Sequence, residues 1–132
     1  NEKSKGSILW TDHIGALSQI NAYADMAYVG GAFSKGLHNI LEAMTFGCPV
    51  CFGPEFKKYP EAEEVIKRGG GYSIRESGEL IQTWKQLREN PQLKEEIFRK
   101  NKEQIQTHAG ASDQIFDWLV RVGFLQSWVE RG

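Results

Sequence analysis

The residues best placed to do chemistry lie in one run: Gly30-Gly31-Ala32-Phe33-Ser34-Lys35-Gly36-Leu37-His38-Asn39-Ile40-Leu41-Glu42-Ala43. Glycines let a backbone approach a ligand closely, and the N–H groups and dipole of a helix start favour negative charge. Asn39 and Glu42 follow, one helical turn apart on an otherwise apolar pattern. A carboxylate there is costly to bury without a partner, and it suits two ribose hydroxyls because it accepts from both. It would repel a phosphate, which is therefore expected on the N–H groups of the loop and helix start. Lys35 is placed to pair with that phosphate, and His38 either bonds it or completes the cap. The run is read as a site for the phosphate and ribose of an activated sugar donor. A plainer reading stands beside it: Asn with Glu three residues on is a capping box, which needs no ligand.

The elements that would position this run alternate at short spacing. Strands are expected at Ser7–Trp10, Met26–Gly30, Pro49–Phe52 and Tyr72–Ile74, the last at a sheet edge. Helices are expected over Leu17–Tyr23, about His38–Phe46 with Gly47 as its stop, and Tyr59–Arg68. Such alternation means βαβ units and a parallel sheet flanked by helices, an α/β fold. Ligands bind such sheets at the carboxyl ends of the strands. The loops Thr11–Gly15, Gly30–Gly36 and Gly53–Lys58 should therefore gather at one edge, with Gly15 as a second close backbone approach.

The second half reads as helical. Leu80, Ile81, Trp84 and Leu87 mark one face of a helix over Ser77–Glu89. Asn90-Pro91 caps the next, expected to reach about Thr107, with Lys94, Glu95, Arg99, Lys102 and Glu103 as a solvated face. Ser112 is read as the cap of a last helix carrying Ile115, Phe116, Leu119 and Val120. Trp118, Phe124, Leu125, Trp128 and Val129 add more apolar surface than the end of a small domain needs.

Composition bounds the function. The chain has 132 residues, one domain's worth, with 40% apolar and 25% charged residues. Sixteen basic residues against 17 acidic ones give a net charge of −1, which offers no support for general nucleic-acid binding. No segment reaches the roughly 18–20 apolar residues of a membrane span. Asn1–Gly6 is polar and expected to fray, and the absence of an initial methionine fits a piece of a longer protein. Cys48 and Cys51 form a C-x-x-C, but on a strand residues three apart point to opposite faces and no second ligand pair exists for zinc. They read as two buried thiols of a reduced, cytoplasmic protein. Motifs of P-loop enzymes, α/β-hydrolases and zinc proteases are absent, and nothing visible requires a metal or cofactor.

Residues 12 to about 61 resemble the C-terminal domain of the 3-deoxy-D-manno-octulosonic acid (Kdo) transferases. The likeness is carried by Asp12-His13-Ile14-Gly15-Ala16-Leu17, Tyr23–Gly31, His38-Asn39-Ile40-Leu41-Glu42-Ala43 and Gly47-Cys48-Pro49-Val50 through Gly53-Pro54. Leu37 and Ala43 stand where the family commonly has glycine and proline, and Ala16 where it commonly has glutamate.

The resemblance implies a Rossmann-like half of a GT-B glycosyltransferase, with residues 1–132 as one donor-nucleotide domain. It implies that Asn39 and Glu42 hold the phosphate–ribose part of CMP-Kdo. Gly30, Gly31, Lys35 and Gly36 would form the phosphate loop, His38 would stand beside it, and Ile14 and Gly15 would lie against the nucleotide. The acceptor would be a lipid A precursor. The catalytic base would sit in an N-terminal domain on which residues 112–132 would pack, leaving this domain inactive alone. Membrane association, at the cytoplasmic face of the bacterial inner membrane, would come only through the full-length protein. Two alternatives stay open: a GT-B enzyme or epimerase using a UDP-sugar, and a non-catalytic α/β interaction domain.

Overall fold

The computed structural model of the protein describes residues 8, 11, 15–34 and 36–123. The expected strand Ser7–Trp10, the frayed start and the apolar residues from Phe124 onward fall outside or almost wholly outside that range.

Three short strands, β1 (Ala27–Val29), β2 (Val50–Phe52) and β3 (Gly71–Ser73), form a parallel sheet in the order β1-β2-β3. All three β2 residues are buried, as a central parallel strand covered on both faces must be. Val50 and Phe52 face a cluster with Ile40, Met44, Ala62 and Val65, while Cys51 between them points the other way. Burial pushes the Cys48 thiol up to about 11 and the Cys51 thiol up to about 12, and both are free. Cys48 donates instead to the carbonyls of Ala24 and Pro49.

The crossovers follow from local chemistry. α1 (Ala16–Asn21) starts after Gly15, whose φ of 85° lies in the left-handed region. α3 (Pro60–Arg68) has proline in its first turn, Glu61 and Glu63 at its positive end, and Lys67 and Arg68 at its negative end. Gly69 ends it at φ 75°, and Gly70 N–H donates back to the Val65 carbonyl at 2.8 Å.

α2 is much shorter than expected, one turn over Leu41–Met44. His38 N–H is held by the Gly30 carbonyl at 3.1 Å, which keeps that stretch in the loop, and Asn39 Oδ1 accepts from Leu41 N at 3.0 Å. The start is thereby moved downstream, and Gly47 (φ 84°) turns the chain soon after.

α4 (Ser77–Glu89) lies where its apolar spacing put it, but its buried residues are Thr83 and Leu87. Ile81 is 53% exposed and Trp84 43%, the latter with the Arg88 guanidinium 5.2 Å from its ring centre. α5 begins at Pro91 with Asn90 Oδ1 accepting from Leu93 N, as expected. It then runs unbroken to Arg121. Ser112 caps nothing: its hydroxyl donates back to the His108 carbonyl at 3.2 Å. A single Gly110, costing about 1 kcal/mol relative to alanine, does not break so long a helix. On the charged face Arg99 and Glu103 form an exposed pair, whereas Lys94 reaches across to Asp25.

α5 is pinned to the sheet by Asn101, which is fully buried. Its Nδ2 donates to the carbonyls of Cys48 at 2.9 Å and Gly70 at 3.0 Å, the residues leading toward β2 and β3.

Candidate functional site

The chain leaving β1 turns sharply. Gly31 has φ 98°, and a Cβ there would overlap the Gly36 carbonyl oxygen, so the loop closes on itself only with glycine at that position. Ser34 and Gly36 N–H groups both donate to the Gly31 carbonyl, at 3.2 and 3.1 Å. With His38 bonded to Gly30, three of the amides expected to meet a phosphate are engaged within the loop. Those of Asn39, Ile40 and Glu42 remain outside this network.

Gly30 behaves differently. Its φ is not positive, and a Cβ built on it would meet nothing within 4 Å. Nothing in the fold explains glycine there, whereas a ligand approaching the backbone would. Gly30 lines a cleft of about 380 Å³ at the carboxyl end of β1, together with His38, Asn39 and Glu42. α1 closes the far side with Leu17 and the buried Asn21. Asn39 uses Oδ1 on Leu41, so its Nδ2 hydrogens stay available. Glu42 is partly buried, and among the described residues no hydrogen bond or ion pair engages its carboxylate. The reciprocal half of a capping box, Glu42 reaching back to Asn39, is not formed.

The expected site residues are therefore only partly brought together. Gly30, His38, Asn39 and Glu42 share one cleft. Gly31 lies within the loop that shapes it, and Gly15 sits at the exposed start of α1. Gly36 faces a separate cleft, beside Tyr59. Ile14 and Lys35 lie outside the described residues. The loops Gly30–Gly36 and Gly53–Lys58 do meet, Glu55 N donating to the Ala32 carbonyl at 2.9 Å. Sequence reading missed Asn21 and Tyr28 as cleft walls. A polar residue on an otherwise apolar helix was the one available signal for Asn21.

No family model matches the chain. Among curated proteins, a 3-deoxy-D-manno-octulosonic acid transferase of Chlamydia pneumoniae is 30% identical over 110 residues, 81% of this chain and 25% of that protein. The transferase of Aquifex aeolicus (strain VF5) is 33% identical over 82 residues, 61% of this chain and 23% of that protein. The chain thus spans about a quarter of the length of the curated relatives it matches. Among solved structures, the C-terminal CMP-Kdo binding domain of WaaA from Acinetobacter baumannii has a similar fold. Its TM-score is 0.64 at 23% identity, covering 73% of this chain and 51% of that one. By sequence the chain is a relative of the 3-deoxy-D-manno-octulosonic acid transferases, and by fold it resembles the C-terminal domain solved for WaaA.

Proposed function

We propose that residues 1–132 form the donor-nucleotide domain of an inverting GT-B glycosyltransferase that moves Kdo from CMP-Kdo to a lipid A precursor. The observation that carries the reading is the open space over Gly30, flanked by an unengaged Glu42 carboxylate and the Asn39 amide. Glu42 accepts from the ribose hydroxyls, Asn39 donates to the phosphate, and the Gly31–Gly36 loop with Lys35 bounds the phosphate. Ile14 and Gly15 are proposed to lie against the nucleotide, and His38 to stand at the phosphate. Donors aimed at the phosphate stabilise CMP as it leaves, and a base from a further domain activates the acceptor hydroxyl. That activity belongs to the full-length protein, at the cytoplasmic face of the bacterial inner membrane.

Residues 112–132 are the segment proposed to pack on that further domain. Ile115, Trp118 and Val122 recur at helical spacing and are each more than half exposed. Alone, this apolar face should drive self-association. Sedimentation at increasing concentration should show oligomers, and a strictly monomeric profile would count against the assignment.

The test of the donor site is an amide NMR titration of the chain with CMP, with UMP as control. Shifts at Gly30–Glu42 that are stronger with CMP support the reading, and equal or stronger shifts with UMP favour a UDP-sugar enzyme. A non-catalytic reading has its own support, since Asn39 Oδ1 accepts from Leu41 N at the start of α2. No shifts with either nucleotide, with stability lost in Asn39→Ala, would select it.

A further inference from the structure

β3 is an outer strand of the sheet, and half of its peptide groups point away from β2. Val50 N donates to the Gly70 carbonyl at 3.4 Å, and Ile74 N donates to the Phe52 carbonyl at 2.7 Å. In a parallel pair alternate residues bond to the neighbour, so Gly70, Tyr72 and Ile74 face β2. Gly71 and Ser73 therefore turn their N–H and C=O groups outward. Among the described residues none of these four groups has a partner. Such a row of main-chain groups is a template for a further strand.

This edge lies in a recess. A cleft of about 400 Å³ runs along Gly71–Ile74, with Ile66 of α3 and Glu79, Gln82, Thr83 and Gln86 of α4 completing its lining. Gly71 and Ile74 are buried, and Tyr72 and Ser73 are half-buried, so the strand does not stand proud of the helices beside it. That selects the occupant. Paired strands lie about 4.8 Å apart, and flanking helices keep a second folded sheet from coming so close. A single extended segment enters freely. The lining also sets its polarity. Glu79 is the one charged residue in it, and its carboxylate accepts from Arg75 N at 2.7 Å. The side chains of Gln82, Thr83 and Gln86 have no hydrogen bond among the described residues. A charged side chain placed here would lose water without gaining a partner, whereas a hydroxyl or an amide would gain one.

We infer that this slot takes one extended peptide as a further strand of the sheet, with side chains alternately apolar and hydroxyl- or amide-bearing. Gly71 and Ser73 each give it one donor and one acceptor. They stand in register with Val50 and Phe52, on the face that Ile66 helps to cover. The apolar side chains of the peptide rest against Ile66, and the polar ones meet Gln82, Thr83 and Gln86. The slot is at the opposite edge of the described sheet from β1 and its cleft, so binding here is independent of the donor reading.

The test combines amide hydrogen exchange and an NMR titration of the chain. The probe is a short capped peptide alternating valine with threonine. In the free chain the Gly71 and Ser73 amides should exchange fast, and those of Tyr72 and Ile74 slowly. The peptide should slow Gly71 and Ser73 and shift them together with Ile66 and Gln82–Gln86. Two further probes carry N-methyl groups, on the valines or on the threonines. One of them should bind about tenfold more weakly, the size of one or two lost hydrogen bonds. Ser73→Pro removes an outward donor while Tyr72 and Ile74 keep their bonds to β2, a substitution that edge strands tolerate. It should keep its urea midpoint and lose a similar factor in peptide affinity; if it does not fold, the methylated probes on the wild type decide. Slow exchange at Gly71 and Ser73 in the free chain would mean that the edge is already paired, and overturns the inference. So does a peptide that leaves these amides unshifted, or equal affinity for all three probes.

Discussion

Gly30 and Gly31 are adjacent in sequence, yet alanine should act on them in opposite ways. At Gly30 the backbone is in a region any residue adopts and a Cβ meets nothing within 4 Å. Alanine there should leave the fold intact and raise stability by about 0.4–1 kcal/mol through a less flexible unfolded chain. The same methyl group occupies the space proposed for the nucleotide, and overpacking a fitted contact costs about 1–3 kcal/mol. Since about 1.4 kcal/mol is tenfold in affinity, CMP should bind Gly30→Ala some tenfold more weakly or worse. At Gly31 the left-handed φ alone costs about 1–2 kcal/mol for alanine. Its Cβ also overlaps the Gly36 carbonyl, and that is backbone held by the Gly36-to-Gly31 hydrogen bond and cannot rotate away. Gly31→Ala should therefore lose about 2–5 kcal/mol in total. Urea unfolding gives both stabilities, and a CMP isotherm on the folded variants gives the affinities. A Gly30→Ala chain that binds CMP like the wild type would refute the placement of ligand over Gly30. A Gly31→Ala chain of wild-type stability would refute the loop geometry.

Asn101→Ala should cost about 2–4 kcal/mol, because buried carbonyls lose their donor. Most of that falls on Cys48, since Gly70 keeps a longer bond from Val50 N at 3.4 Å. Asn101→Asp should be worse at neutral pH than at low pH, as a carboxylate cannot donate to either carbonyl; equal urea midpoints at both would contradict the assignment. The thiols give a pH prediction. Cys48 and Cys51 are raised from an ordinary 9.0 to about 11 and about 12, chiefly by burial. The unfolded chain then releases protons before the folded one does. The thiol contribution is present in full below about pH 9 and is lost as pH rises from there toward about 12. Stability measured by urea should fall over that window, less steeply in Cys51→Ala than in the wild type, and neither thiol should react with Ellman's reagent until the chain unfolds.

How much of this was legible from residues alone depends on whether the deciding interaction is local. Ser77–Glu89 could be bounded because its apolar spacing ends at Asn90-Pro91, whose cap is a contact between near neighbours. Pro60 and Gly69 bounded α3 in the same way. α2 was overestimated because what unwinds its start is a bond from His38 back to Gly30 across the loop, which no helical pattern encodes. α5 reads as two helices, one to about Thr107 and one from Ser112, because a hydroxyl that bonds backward inside a helix looks identical, in sequence, to one that caps the next. Asn101 sits between Lys100 and Lys102 and reads as part of a solvated face. Only the packed helix shows it buried against two strand starts. Within the site, Gly30, Asn39 and Glu42 were legible as a constellation. The meeting of the Gly30–Gly36 and Gly53–Lys58 loops was legible too, because a parallel sheet puts both at the carboxyl ends of its strands.

The structure also shifts where an anion would be held. A long helix after the glycine loop would have offered a dipole and a row of free N–H groups. α2 is one turn, and Ser34, Gly36 and His38 have already given their N–H groups to loop carbonyls. Amides so engaged leave few donors for a ligand. The positive character needed for a phosphate must then come largely from side chains. Among the described residues, Asn39, Lys57, Lys58 and Tyr59 are groups at this edge that can provide it. Side-chain cations are screened by salt within about 10 Å at 0.1 M, whereas a buried amide cradle is screened far less. CMP binding by this domain should consequently weaken with ionic strength, and the weakening should be smaller in Lys57→Gln/Lys58→Gln. A salt dependence that is the same in both chains would return the anion to the backbone.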